Sequence, residues 1–170
     1  MSTVKPQLVR AFIDRYGLDH DDLPPMARLL NRCAKVVELT DGDWLCHEKD
    51  PANGLYMLAE GSLRVQKRDA RNEYRDIAVA EAPAIMGHMG LLTGVFRTAG
   101  LCADPGGATV FLLSSTDVDV LMKDNGQEGD LIRRVVLGAM LDQLDRATRD
   151  VQTRINSGDS APLPDGWVQT

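Results

Sequence analysis

The 170-residue sequence predicts a mainly β domain, a roll of about eight short strands with two short helices before it and one long helix after it. Three observations carry that expectation. Between Lys35 and Ser114, short β-leaning segments are broken every several residues by Gly, Pro, Asp or Asn, the pattern of a sandwich or barrel. Ahead of Lys35 the apolar residues recur at helical spacing. From Asp130 to Asn156 there is no proline and only Gly138 as a weak point, room for a helix of about 40 Å at 1.5 Å per residue.

The elements follow in order. Residues 3–16 place Leu8, Phe12, Ile13 and Tyr16 at helical spacing, with Gly17 as a plausible stop. After the acidic turn at 19–22, Pro24 and Pro25 suit the first turn of a second helix, and Met26, Leu29, Leu30 and Cys33 form its apolar stripe. Strands are expected near 35–39, 44–47, 55–59, 62–67, 74–79, 84–86, 98–103 and 109–113. Turn chemistry separates them at Asp41-Gly42-Asp43, Asp50-Pro51-Ala52-Asn53-Gly54, Glu60-Gly61 and Gly106-Gly107. Hydroxyls at Ser114, Ser115 and Thr116 offer caps for a short helix to about Lys123, which Asp124-Asn125-Gly126 ends. On the long helix, Leu131, Ile132, Val135 and Val136 suit packing against the roll. Leu137, Leu141, Leu144, Thr148, Val151 and Ile155 alternate spacings of four and three, the seam of a coiled coil. The expected organisation is a helical segment at 1–34, the roll with its C-terminal helices at 35–156, and a flexible Gly-, Pro- and Ser-rich tail at 157–170.

Composition narrows the function classes. Hydrophobic residues make up 44% and charged residues 26%, a globular balance without an apolar run long enough to span a bilayer. No secretory leader is legible at the N-terminus, so a cytoplasmic protein is expected. A net charge of −6 repels nucleic-acid backbones, and the basic run Arg64, Lys67, Arg68, Arg71 is interleaved with Asp69, so it reads as a solvated hairpin. Cys33, Cys46 and Cys102 are odd in number and widely spaced, which suits reduced, mostly buried thiols and neither a disulfide framework nor zinc. His20, His47 and His88 are scattered, so a metal-dependent enzyme on such a roll is not expected, and neither a metal nor a cofactor is.

One segment has the makings of an anion site. Met86-Gly87-His88-Met89-Gly90-Leu91-Leu92-Thr93-Gly94-Val95-Phe96-Arg97-Thr98-Ala99 combines glycines that let backbone approach a ligand, a short helical turn, and Arg97 with its fixed charge and paired donors. Thr98 adds a hydroxyl. The bland reading of Arg97 is an ion pair with Asp76 or Glu81.

Gly42-Asp43-Trp44-Leu45, Glu48-Lys49-Asp50-Pro51-Ala52, Leu55-Tyr56-Met57-Leu58 and Glu60-Gly61-Ser62-Leu63-Arg64-Val65 resemble successive strands of the cyclic nucleotide-binding domain family, as in catabolite-activator-type regulators. The segment from Met86 to Ala99 is similar to that family's phosphate-binding cassette. The resemblance spans about 35–150 and implies a jelly-roll fold, with Gly87, His88, Met89, Gly90, Leu91, Arg97, Thr98 and Ala99 at the ligand and Arg97 on the cyclic phosphate of cyclic AMP or cyclic GMP. His88 stands where the family places the glutamate that accepts from the ribose 2′-hydroxyl, and imidazole cannot make that charge-assisted contact, so the ribose anchor is altered. Pro83-Ala84-Ile85 also departs from the family's Gly and Asp ahead of the cassette.

The expected function is therefore a regulatory, non-enzymatic sensor that binds a cyclic nucleotide or related anion and signals through its C-terminal helix. Homodimerisation through Leu137, Leu141, Leu144, Val151 and Ile155 is expected, with a protein partner as a further output, since no helix-turn-helix module is expected after the helix. Removing Arg97 is expected to abolish binding and spare the fold. The alternative is a degenerate roll that binds no nucleotide and serves as a dimerisation or docking scaffold.

Overall fold

The computed structural model describes residues 4–94 and 96–157. They fall into two compact units, one through Ala139 and one from Met140 onward.

In the first unit, helix α1 (Pro6–Arg15) buries Val9, Phe12 and Ile13, and helix α2 (Leu23–Cys33) buries Met26, Leu29 and Leu30. Both start at prolines, whose missing N–H costs nothing in a first turn. Between them a single 3-10 turn, His20–Asp22, carries the buried carboxylate of Asp22. The strands are β1 (Ala34–Leu39), β2 (Trp44–Cys46), β3 (Gly54–Arg68), β4 (Tyr74–Glu81), β5 (Ala84–Met86) and β6 (Gly100–Ser114). All pairings are antiparallel, in the order β1-β6-β3-β4, with β2 on β6 and β5 on β3.

The eight expected strands become six because four of them fuse pairwise. The expected turn at Glu60-Gly61 is a bend inside β3, and the one at Gly106-Gly107 lies inside β6. The ladder runs Gly61↔Ala108 and then Leu63↔Ala103, so residues 104–107 bulge out while pairing continues on both sides. Gly61 sits at φ 78 with its Cα against the Gly107 carbonyl, a place no side chain fits. Local sequence reads such a kink as a turn. Only the partner strand shows that the chain continues.

Alternation along β3 and β6 explains two apolar layers. Leu55, Met57, Phe111 and Leu113 face the helices, and Tyr56, Leu58, Leu63 and Val110 face the interior of the roll. The helix-side layer is completed by α4 (Ser115–Lys123), whose cap is Ser114 Oγ accepting from Asp117 N–H at 3.1 Å, and by Leu131, Ile132, Val135 and Val136 of α5 (Gln127–Ser157), as their spacing predicts. The basic run divides: Arg68 and Arg71 are exposed at the hairpin, Arg68 over the Tyr74 ring at 4.7 Å and the neighbouring Arg75 on Asp69 and Glu73, whereas Arg64 is half-buried and pairs with Asp104 at 3.1 Å. Cys46 and Cys102 are buried free thiols and Cys33 is half-buried.

From Met140 onward α5 carries two intrahelical ion pairs, Asp142–Arg146 and Asp145–Arg149. Leu141, Leu144 and Ile155 are exposed and Val151 is half-buried. The expected tail beyond Ser157 lies outside the described residues. No helix among the described residues is long and apolar enough to cross a membrane, and no cluster of three potential metal ligands occurs among them.

Candidate functional site

Strand β5 delivers the chain to Gly87, which takes a left-handed turn at φ 81 and starts α3 (His88–Thr93). Leu91 N–H donates back to Gly87 O at 3.2 Å and Thr93 Oγ1 to Met89 O at 2.9 Å, so this one-and-a-half-turn helix closes on itself. His88 and Gly90 are buried, Leu91 packs into the helix-side core, and Met89 is exposed. Gly90 lies so close to Phe96 O and Ala52 that a Cβ would sit 2.9 and 3.1 Å from them.

The chain then returns beside residues 49–51. Arg97 N–H donates to Asp50 O and Lys49 N–H to Arg97 O, both at 2.8 Å. This short ladder aims the Arg97 side chain inward. Only 4% of the residue remains exposed. Its Nη2 donates to Asn53 Oδ1 at 2.6 Å and Gly54 O at 2.8 Å, its Nη1 to Gly87 O at 3.3 Å, and the guanidinium stacks over the Tyr56 ring at 4.1 Å. Tyr56 Oη donates to the same Asn53 oxygen at 3.0 Å. Burial pushes the Tyr56 hydroxyl up to about 12 and raises the Cys46 thiol, so both are neutral neighbours of the cation.

Every acceptor on this guanidinium is neutral, its Nε has none, and no carboxylate lies in ion-pair range among the described residues. Arg97 pairs with neither Asp76 nor Glu81; Asp76 is engaged by Gln66. A buried cation without a counter-charge is costly, and an anion reaching it gains what solvent no longer supplies.

The sequence-predicted residues therefore divide. Gly87, Gly90 and Arg97 meet in one packed arrangement, whereas Thr98 is exposed and Ala99, half-buried, accepts a long contact from Cys46 Sγ at 3.9 Å. Asn53 and Tyr56 escaped the sequence reading as site residues. Strand alternation through Leu55, Tyr56 and Met57 places Tyr56 inside the roll, a usable signal; nothing local marks Asn53.

Gly87 is the steric condition for the whole arrangement, because a Cβ there would collide with Arg97 Nη1. Gly87→Ala is expected to lower stability by about 2 kcal/mol, from the left-handed backbone and the displaced guanidinium together. Chemical denaturation checks this, and an unchanged midpoint would mean Arg97 is not held as described.

The family model of the cyclic nucleotide-binding domain matches residues 36–125, more than half of the chain. This chain belongs to the cyclic nucleotide-binding domain family. The match runs from β1 to just past α4, so it includes the whole cassette of this cyclic nucleotide-binding domain. No curated protein sequence matches it. Among solved structures it is similar to a cyclic nucleotide-binding domain from Methylobacillus flagellatus KT, with a TM-score of 0.71 and 19% identity over 93% of this chain and 88% of that one. The c-di-GMP-responsive global regulator CLP of Xanthomonas campestris aligns with a TM-score of 0.67 and 15% identity over 82% of this chain and 66% of that one. The regulatory domain of Toxoplasma gondii PKA, crystallised with cAMP, aligns at 0.58 and 19% over 76% and 47%. At these identities the likeness establishes the fold alone.

Proposed function

We propose that this domain is a regulatory sensor that takes up a cyclic nucleotide or related cyclic phosphate at Gly87–Ala99 and signals through α5, acting without catalysis and without a further cofactor. The observation that carries the reading is Arg97: a buried cation, delivered by the cassette segment and surrounded only by neutral acceptors, is matched to an anionic ligand. Ligand phosphate exchanging with the Gly87 and Gly54 carbonyls on Arg97 would favour one of two settings of the cassette, a population shift. Of the similar structures, the Toxoplasma gondii PKA regulatory domain was crystallised with cAMP and the Xanthomonas campestris regulator CLP responds to c-di-GMP. Because His88 lacks the carboxylate that serves the ribose, the test is calorimetric titration with cyclic AMP, cyclic GMP and cyclic di-GMP. Saturable heat with one of them supports the reading; none with any of the three removes it.

The second reading, a scaffold without nucleotide, is favoured by one specific feature, that three Arg97 hydrogen bonds are already satisfied within the protein. In either reading the seam Leu137, Leu141, Leu144, Val151 and Ile155 is assigned to a second copy of this chain. Leu137, Leu141, Leu144 and Ile155 are each more than half exposed, while the flanking Asp142–Arg146 and Asp145–Arg149 pairs are satisfied along the helix. Leu141→Asp with Leu144→Asp is expected to convert a dimer into a monomer in sedimentation velocity. A native protein already monomeric at high concentration ends that assignment.

A further inference from the structure

We infer that Tyr16 is a positioning residue for the cassette, a joint through which α5 sets the strand that leads into Gly87 and His88. This deepens the sensor reading and rests on it for its purpose, but not for its geometry. Two contacts far apart in sequence meet in this one side chain. The Tyr16 ring packs on α5 at Gly138: a Cβ added there would lie 3.0 Å from Tyr16 Cδ1, tighter than carbon atoms ordinarily pack, and 3.5 Å from its Cβ, an ordinary contact. The absence of a side chain at Gly138 is what lets ring and helix come this close. At its other end the Tyr16 hydroxyl accepts a hydrogen bond from Ile85 N–H at 2.9 Å.

Ile85 is the buried middle residue of β5, two positions before Gly87. Strand β5 is three residues long and among the described residues pairs only with Tyr56, Met57 and Leu58 of β3, and Tyr56 is the ring beneath Arg97. So short a strand has little else to fix it, and its displacement carries Gly87 O, an acceptor of Arg97, with it. The fixed end of the joint is α1, where Tyr16 N–H closes the last turn on Phe12 O and Phe12 shares an apolar cluster with Val135, Val136 and Ala139. A close-packed aromatic ring does not compress. A shift of α5 at Gly138 therefore moves the ring, and the ring moves or releases the Ile85 amide.

The test uses amide hydrogen exchange on the ligand-free full chain. Tyr16→Phe removes the hydroxyl alone and is expected to speed exchange at Ile85 and on through Leu91 by roughly tenfold, with β3 and β6 unchanged. Gly138→Ala pushes the ring from the α5 side while improving helix propensity, so α5 itself stays protected and residues 85–91 exchange faster by a similar factor. In the double variant the acceleration is expected to be no greater than in either alone, because both act through one hydrogen bond. Wild-type exchange at 85–91 in Gly138→Ala, simple addition of the two effects, or loss of protection across the whole sheet would each overturn the joint. No ligand enters the experiment, so failure to bind a cyclic nucleotide and failure of this coupling are separate results.

Discussion

Arg97→Ala is expected to weaken binding of whichever cyclic nucleotide titrates by at least about a hundredfold, since charge-assisted, paired hydrogen bonds to a phosphate contribute roughly 1.5–3 kcal/mol each. The same substitution is also expected to destabilise the protein by about 3 kcal/mol. It takes a donor from Gly54 O, Gly87 O and Asn53 Oδ1, of which Gly87 O keeps the Leu91 N–H and Asn53 Oδ1 the Tyr56 hydroxyl, and it opens a void against the Tyr56 ring. The sequence alone suggested that the fold would be spared; the burial of Arg97 reverses that expectation. Arg97→Lys separates the two effects. An ammonium keeps the charge but cannot reach three acceptors with planar geometry, so it should recover part of the stability and little of the affinity. Calorimetry below the unfolding transition of each variant is the measurement. Wild-type affinity in a folded Arg97→Ala protein would remove Arg97 from the site.

The second large effect is expected far from the cassette. Asp22 is buried in the 3-10 turn and receives Arg134 of α5 through two hydrogen bonds, Nη1 to Oδ2 at 2.8 Å and Nη2 to Oδ1 at 2.9 Å, across 112 residues of sequence. Asp22→Asn preserves shape and an acceptor for the Asp19 N–H but removes the charge. Breaking a fully buried pair costs about 3–5 kcal/mol; because Arg134 stays partly exposed, about 2 kcal/mol is expected here. The hydrogen bond from Arg134 holds the Asp22 carboxyl below its ordinary range. The charge contribution is then fully present above the unfolded carboxyl value of about 4, and it fades as pH falls through the lower folded value. Denaturation midpoints of wild type and Asp22→Asn should differ at neutral pH and converge in acid. A difference that widened in acid would contradict this assignment.

Much of this was legible residue by residue. The prolines that open α2, the Ser114 cap of α4, the stripe from Leu131 to Val136 and the cassette between Gly87 and Ala99 are local signals, each written within a few residues of chain. The continuity of β3 through Gly61 was not, because a kink and a turn have the same local chemistry and differ only in what pairs beyond them. Asn53 was missed for a related reason. Its amide matters only because Arg97, 44 residues later, is folded back onto it.

By itself the sequence determined the order of elements, the stripe from Leu131 to Val136 that packs on the roll, and the position of the glycine-rich segment that leads to Arg97, since periodicity and turn chemistry are short-range properties. Tertiary structure alone decided where the Arg97 guanidinium points and which neutral acceptors hold it. It also decided that Asp22 finds Arg134, and that Tyr16 stands between Gly138 and Ile85. These are encounters between groups distant in the chain, and their energies depend on burial and geometry that no local pattern encodes.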